Sequence, residues 1–244
     1  MNKTKEIKKV KYETYLTGDT HLHIQNGNKK TGKGIYLVNL LPGSEPLTKK
    51  DGTQLTNIQG SCVGCCENCC ESDCYAIRYT VFHHNSCVPS YADNTVLARH
   101  DVDTFFDELQ QFIDRSMVAA IRYHAAGEIV SYKYLCKMAE IAENNPTIIF
   151  YTYTKRYAWL EKYVKENGSF PANLVISVSI WHNNYDNPLG FPEFIYDDGS
   201  DESLKNIPHC KAVSESGTET GITCAQCKMC LKAKHGQQIA VYAH

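Results

Sequence analysis

The sequence has no apolar run of signal-peptide or membrane-span length, and its first residues, Met1-Asn-Lys-Thr-Lys-Glu-Ile-Lys-Lys, are charged instead. A spanning helix needs roughly 20 consecutive apolar residues, so the expectation is a soluble, cytoplasmic chain with no membrane partner. Charge of one sign is equally scarce: 25 Lys and Arg against 27 Asp and Glu leave a net charge of −2. No overall field draws in a polyanion, which argues against nucleic acid as a partner. The lysine-rich first dozen residues read as a solvated tail. Core material is not lacking, since 244 residues with 43% apolar content bury a full core without covalent staples.

Isolated cysteines are few. Of twelve, six lie within residues 62–74, four within 210–230, and only Cys87 and Cys136 stand alone. Thiols stay reduced in a cytoplasmic compartment, so such clusters point to metal and not to a disulfide framework. The two lone cysteines read as small buried hydrophobes.

The first cluster comprises Cys62, Cys65, Cys66, Cys69, Cys70 and Cys74. Thiolates two to four residues apart on a loop suit an iron-sulfur cluster, because the chain must wrap one small, roughly cubic object. Cys62, Cys66 and Cys69 give C-x3-C-x2-C, and Cys66, Cys70 and Cys74 give C-x3-C-x3-C. Structural zinc is the competing reading. The second cluster is Cys210, Cys224, Cys227 and Cys230. Its two-and-two spacing resembles ferredoxin-type loops, with zinc again the alternative metal, and four thiols would close a structural or electron-transferring site.

Periodicity supplies the framework. Residues 34–41 read as a buried strand, and 44–60 as a polar loop leading to the cysteines. Val102, Phe105, Phe106, Leu109, Phe112 and Ile113 mark an amphipathic helix capped by Asp101 or Asp103. Strands at 117–124, 147–154 and 174–181 alternate with helices that start near Ser131 and Arg156, the latter closing at Gly168. Residues 183–209 read as a long connection, and 238–243 as a last strand. This alternation is the signature of βαβ units, hence an α/β class with a parallel sheet, open or curled into a partial barrel. The expected organisation is an N-terminal segment (1–33), an α/β partial barrel carrying the first cysteine cluster (34–182) and a cysteine-rich C-terminal extension (183–244).

Leu41-Pro42, Cys62-Val63-Gly64 and Cys70-x3-Cys74-Tyr75-Ala76 together resemble the phage gene-88 protein family. The likeness continues through Arg122-Tyr-His124-Ala-Ala-Gly127-Glu128, Tyr153-Thr-Lys155 and the C-terminal cysteines. That family in turn resembles radical S-adenosylmethionine proteins, in which a cysteine loop follows the first strand and a Gly-Gly-Glu-Pro turn follows the second. The resemblance implies a 4Fe-4S cluster held by Cys62, Cys70 and Cys74 or by Cys62, Cys66 and Cys69. It also implies S-adenosylmethionine bound at Gly127 and Glu128, an electron donor, and a 5′-deoxyadenosyl radical acting on a small-molecule or macromolecular substrate. Ala126 and Ile129 depart from the turn motif, and the spacing 62/70/74 is wider than the usual three-cysteine loop.

His124, Lys155 and His182 fall just beyond strand C-termini, where parallel α/β folds place chemistry. The rival expectation is a non-enzymatic, metal-stabilised phage protein. It would offer Tyr151, Tyr153, Tyr157 and Trp159 to a host protein or nucleic acid.

Overall fold

A computed structural model describes residues 20–64, 74–181 and 185–243. In chain order the elements begin with β1 (Gln25–Asn26), β2 (Ile35–Val38), β3 (Pro46–Thr48), β4 (Gln54–Gln59), α1 (Tyr75–Phe82), α2 (His84–His100) and α3 (Val102–Arg115). They continue with β5 (Ala120–Tyr123), α4 (Tyr132–Asn144), β6 (Ile149–Thr154), α5 (Tyr157–Asn167), β7 (Leu174–Ile180), β8 (Glu193–Asp197), α6 (Cys224–Cys227) and β9 (Gln238–Tyr242). These form two compact units. One comprises Met1–Ile24, Val38–Ser116 and His124–Lys137; the other comprises Gln25–Leu37, Met117–Tyr123 and Met138–His244.

The second unit is built on a seven-stranded sheet of order β1-β2-β5-β6-β7-β8-β9. Pairing is parallel from β5 through β9, and β1 runs antiparallel to β2. The sheet is mixed α/β in context and is not closed as a barrel, since β1 and β9 each have one neighbour. Side chains alternate across it. Phe150, Thr152, Thr154, Ile176 and Val178 are buried on one face. The other face carries Ala120 and Tyr151, which cluster with Ile35, Leu37 and Leu231, and Cys224 and Ala225 pack against them. Part of the cysteine-rich C-terminal segment therefore covers this face.

In the first unit β3 and β4 form an antiparallel hairpin. Leu41, Leu47, Ile58, Ala76, Val88, Tyr91, Ala92, Val96 and Ala126 make its core. Helix α3 buries Val102, Phe105, Phe106, Leu109 and Ile113 of the expected stripe, with Phe112 half-buried at its margin, and Asp101 Oδ1 caps it by accepting from Thr104 N at 3.2 Å. Ser131 Oγ accepts from Tyr134 N at 3.1 Å at the start of α4.

Two expectations are corrected. Residues 44–60 are not simply a loop, because β3 and β4 lie within them. β3 is three residues long with only Leu47 buried, too short for alternation to show. Residues 183–209 contain β8, whose Phe194, Ile195 and Tyr196 are diluted by the polar residues around them. Residues 75–100 form α1 and α2 although no apolar stripe announces them. Helix α2 buries Asn94 and Thr95 beside its apolar residues, which blurs the pattern. No helix among the described residues is long and apolar enough to cross a membrane.

Candidate functional site

After β2 the chain runs through Asn39, Leu40 and Leu41, leaves as the hairpin, and returns at Gly60 beside the place it left. Ser61 N donates to Leu41 O at 2.7 Å and Cys62 N to Gly43 O at 2.9 Å. A Cβ on Gly60 would lie 2.1 Å from Gly43 O and 2.2 Å from Pro42 O, so only glycine permits this crossing. Arg99 reaches over from α2, its Nη1 donating to Gln59 O at 2.8 Å and its Nη2 donating to Gly60 O.

The turn that follows β5 docks onto this crossing. Leu40 N donates to Ala126 O at 3.0 Å, and Ala126 N donates to Asn39 Oδ1 at 3.2 Å. Asn39 is held in turn by Tyr91 Oη, which accepts from its Nδ2 at 3.1 Å, and by Asn94 Nδ2, which donates to its carbonyl at 2.9 Å. Burial pushes the Tyr91 hydroxyl upward, keeping it neutral. Ser61 Oγ is the joint: it donates to Leu41 O at 2.7 Å and accepts from Glu128 N at 2.8 Å.

Gly127 sits at φ +92°, and a Cβ there would come 2.6 Å from Ser61 Oγ and 2.7 Å from Leu40 Cβ. Close approach of the two loops already requires a glycine at this position. Glu128 is only 6% exposed, so it is not a solvent-facing turn residue, and its Oε1 accepts from Ile129 N at 2.8 Å. At the far end of the first cysteine cluster, Tyr75 Oη donates to Ala125 O at 2.5 Å. Half-buried Cys62 and Cys74 thus border residues that hold the same turn, Ser61 gripping Glu128 and Tyr75 gripping Ala125. Cys65, Cys66, Cys69 and Cys70 lie outside the described residues, as does His182.

The remaining expected residues are placed individually. His124 is buried, with φ +56° and its Nε2 3.2 Å from Tyr134 Oη, which makes it a packed residue of the first unit and not a rim group. In the second unit Lys155 Nζ donates to Ser179 Oγ at 2.9 Å and lies 5.9 Å from the Trp181 ring centroid. Tyr151 is buried, Tyr153 packs on Phe194 at 4.5 Å, Tyr157 stacks on Tyr185 at 3.9 Å, and Trp159 lies 4.5 Å from the Arg156 guanidinium. These aromatics do not make one exposed surface.

The C-terminal thiols belong to the second unit. Cys224 N donates to Lys30 O and Ala225 N to Thr31 O, both at 3.0 Å, which docks α6 on the turn before β2. Thr223 and Gln226 form a reciprocal capping box at its start. Burial pushes the Cys224 thiol up, against the pull of Arg122 and Lys30. Burial pushes Cys230 up to about 12, opposed by its hydrogen bond with Tyr153. Burial also draws the Lys30 ammonium down, with Cys210 acting in the opposite sense. Cys210, Cys224 and Cys230 therefore act electrostatically on one another, with Arg122 acting on Cys224 and Cys230 and Lys30 on Cys224, while Cys227 acts on Cys224. Among the described residues, however, no three His, Cys, Asp or Glu side chains are arranged to hold a metal ion.

Sequence reading missed Ser61, Tyr75, Asn39 and Arg99. Ser61 and Tyr75 immediately flank cysteines that it singled out, and adjacency was the available signal. Asn39 and Arg99 act through main-chain atoms distant in sequence, which no local pattern discloses.

The family described as Gene product 88 matches the chain over residues 20–233. No curated protein and no solved structure matches it.

Proposed function

The chain belongs to the Gene product 88 family of phage proteins, and from that premise we propose that it is an iron-sulfur protein acting as a radical S-adenosylmethionine-like enzyme. One observation carries this reading. The residues flanking Cys62 and Cys74 both grip the turn that contains buried Glu128. A sunken carboxylate and turn carbonyls suit an ammonium group, and thiolates beside them suit iron. Cys62, Cys70 and Cys74, or Cys62, Cys66 and Cys69, would hold a 4Fe-4S cluster. Gly127 and Glu128 would receive the amino group of S-adenosylmethionine. When bound, the cluster and S-adenosylmethionine together would supply one-electron radical chemistry. The chain's own part is to hold the carboxylate and turn in place through Ser61, Asn39 and Tyr75.

Cys210, Cys224, Cys227 and Cys230 would take a second metal, zinc or an iron-sulfur cluster. Four thiolates around a doubly charged core leave two negative charges, and Lys30 and Arg122 supply two positive ones. The donor set is chemically right for either metal.

Iron and acid-labile sulfide, measured on protein purified without air, test the proposal. Expected are iron and sulfide bound together, with cleavage of S-adenosylmethionine under dithionite. Protein carrying stoichiometric zinc alone would remove the radical mechanism.

A second reading is a metal-stabilised, non-enzymatic phage protein that engages a host protein or nucleic acid. Tyr75, Tyr79 and Phe82 favour it, because they share one face of α1 and are exposed, Phe82 at 81%. Unaltered function of the chain after Cys70→Ala and Cys74→Ala, with folding retained, would select this reading.

A further inference from the structure

Within the second unit, two tyrosines of β6 lie on the sheet face that the C-terminal cysteine segment covers. The rings of Tyr151 and Tyr153 meet edge-on at 6.3 Å. Arg122, the register partner of Tyr151 on β5, places its guanidinium 5.0 Å from the Tyr153 ring and 6.0 Å from the Tyr151 ring. Tyr153 and Cys224 both pack against the cluster that contains Tyr151 and Leu231. The two hydroxyls differ in what they meet. Tyr153 donates to the Cys230 sulfur. Tyr151 is 1% exposed, and its hydroxyl proton has no acceptor among the described residues. Arg122 carries only donors, so it serves the lone pairs of Tyr151 and not its proton. The other ionisable groups that act on this hydroxyl are Cys224 and Cys230, whose sulfurs are the acceptors at hand. A buried hydroxyl proton without an acceptor costs stability, and folded proteins keep few of them.

We infer that Tyr151 is a positioning residue for the metal centre of Cys210, Cys224, Cys227 and Cys230, its hydroxyl donating, beside that of Tyr153, to thiolate sulfur when metal holds the thiols. This rests on the reading of these four thiols as a metal centre, and it adds the groups of the sheet that stabilise the centre's charge. A neutral thiol is a weak acceptor, whereas a metal-bound thiolate is charged and accepts strongly. The hydrogen bond from Tyr151 therefore forms in full only with metal present. The sign of a Tyr151→Phe substitution then changes with loading. In the metal-free chain the substitution removes a stranded proton, and in the loaded chain it removes a charge-assisted bond.

The experiment loads the full chain with NMR-active cadmium, which thiolates hold as they hold zinc. Cys227→Ala and Cys230→Ala each identify, by its loss, the cadmium resonance of the C-terminal thiols, and competition with a chelator reads affinity from that resonance. In Tyr151→Phe the resonance is expected to shift and the cadmium affinity to fall about tenfold, as for one hydrogen bond to a charged acceptor. The thermal midpoint of the metal-free variant stays level with the parent or rises. In Tyr153→Phe the affinity also falls, but the metal-free midpoint does not rise, because a bond already made to Cys230 is lost. A buried water as the acceptor for Tyr151 would leave resonance and affinity unchanged in Tyr151→Phe, which overturns the inference while the metal centre stands. A metal-free midpoint that falls in Tyr151→Phe assigns the hydroxyl to the fold and overturns it equally. A parent chain with no cadmium resonance that the cysteine variants remove overturns the metal centre, and this inference with it.

Discussion

His209 Nε2 lies 2.8 Å from Asp197 Oδ2, joining the segment after residues 202–206 to the last residue of β8. The other ring nitrogen faces Ile207 O at 2.8 Å, and the ring stacks on Tyr242 of β9 at 4.1 Å. Asp197 is buried and also accepts from Gly199 N at 2.8 Å. Removing one member leaves the other without its partner in a site largely closed to water. Asp197→Ala should therefore cost on the order of 3 kcal/mol, measured by urea unfolding of the parent and variant at neutral pH.

Glycine positions provide a graded test of the loop crossing. Gly127→Ala meets both a positive φ and contacts of 2.6 and 2.7 Å, and should destabilise by about 3 kcal/mol or more. Gly34→Ala shares a positive φ of +87° but meets nothing within 4 Å, and should cost about 1 kcal/mol. Thermal melts of the two variants check the order. Equal losses would mean that backbone conformation alone, and not contact with Ser61 and Leu40, sets the requirement at Gly127.

Acid titration separates a surface contribution. The Lys133 ammonium, 2.6 Å from Asp103, holds that carboxyl below the usual aspartate range, and Lys137 at 3.6 Å adds to it. A carboxyl depressed in the folded state adds stability above its unfolded value and loses it as pH falls through the folded value. Asp103→Asn should thus be slightly less stable than the parent at neutral pH and equal to it at strongly acid pH. The exposed pair makes the difference small, and urea midpoints across the acid range check both sign and window.

The C-terminal thiols predict a chemical footprint. With Cys230 pushed up to about 12 by burial, little thiolate is present near neutrality, so alkylation of Cys230 in metal-free protein should be slow and should quicken with rising pH. Addition of zinc should protect Cys210, Cys224, Cys227 and Cys230 together. Protection of Cys224 and Cys227 alone would reject the four-thiol centre. Mass spectrometry after timed alkylation reads each site.

The elements that the sequence disclosed are those whose burial follows a plain pattern. Val102, Phe105, Phe106, Leu109 and Ile113 on α3 are buried on one side, and the β-branched and aromatic runs of β6 and β7 are buried on both faces of the sheet. Helix α2 did not declare itself, because Asn94 and Thr95 are buried to hold main-chain atoms, and polar residues used that way break the stripe. The parallel alternation was legible, whereas the seven-stranded extent was not, since β1 has two residues and β8 lies within polar surroundings. At the candidate site, Gly127 and Glu128 were singled out by the family resemblance and not by any local pattern. The residues that fix them were not singled out, because Ser61 and Asn39 act across 67 and 87 positions.

Gly60 crosses directly over the carbonyls of Pro42 and Gly43, so the hairpin between them closes on itself like a loop of thread drawn through one stitch. The stitch fixes where Cys62 begins, whatever length of chain lies in the loop. The exposed hairpin tip at residues 50–54 can therefore be enlarged without disturbing the entrance to the cysteine cluster, while Leu47 and Ile58 keep the two strands bound into the core.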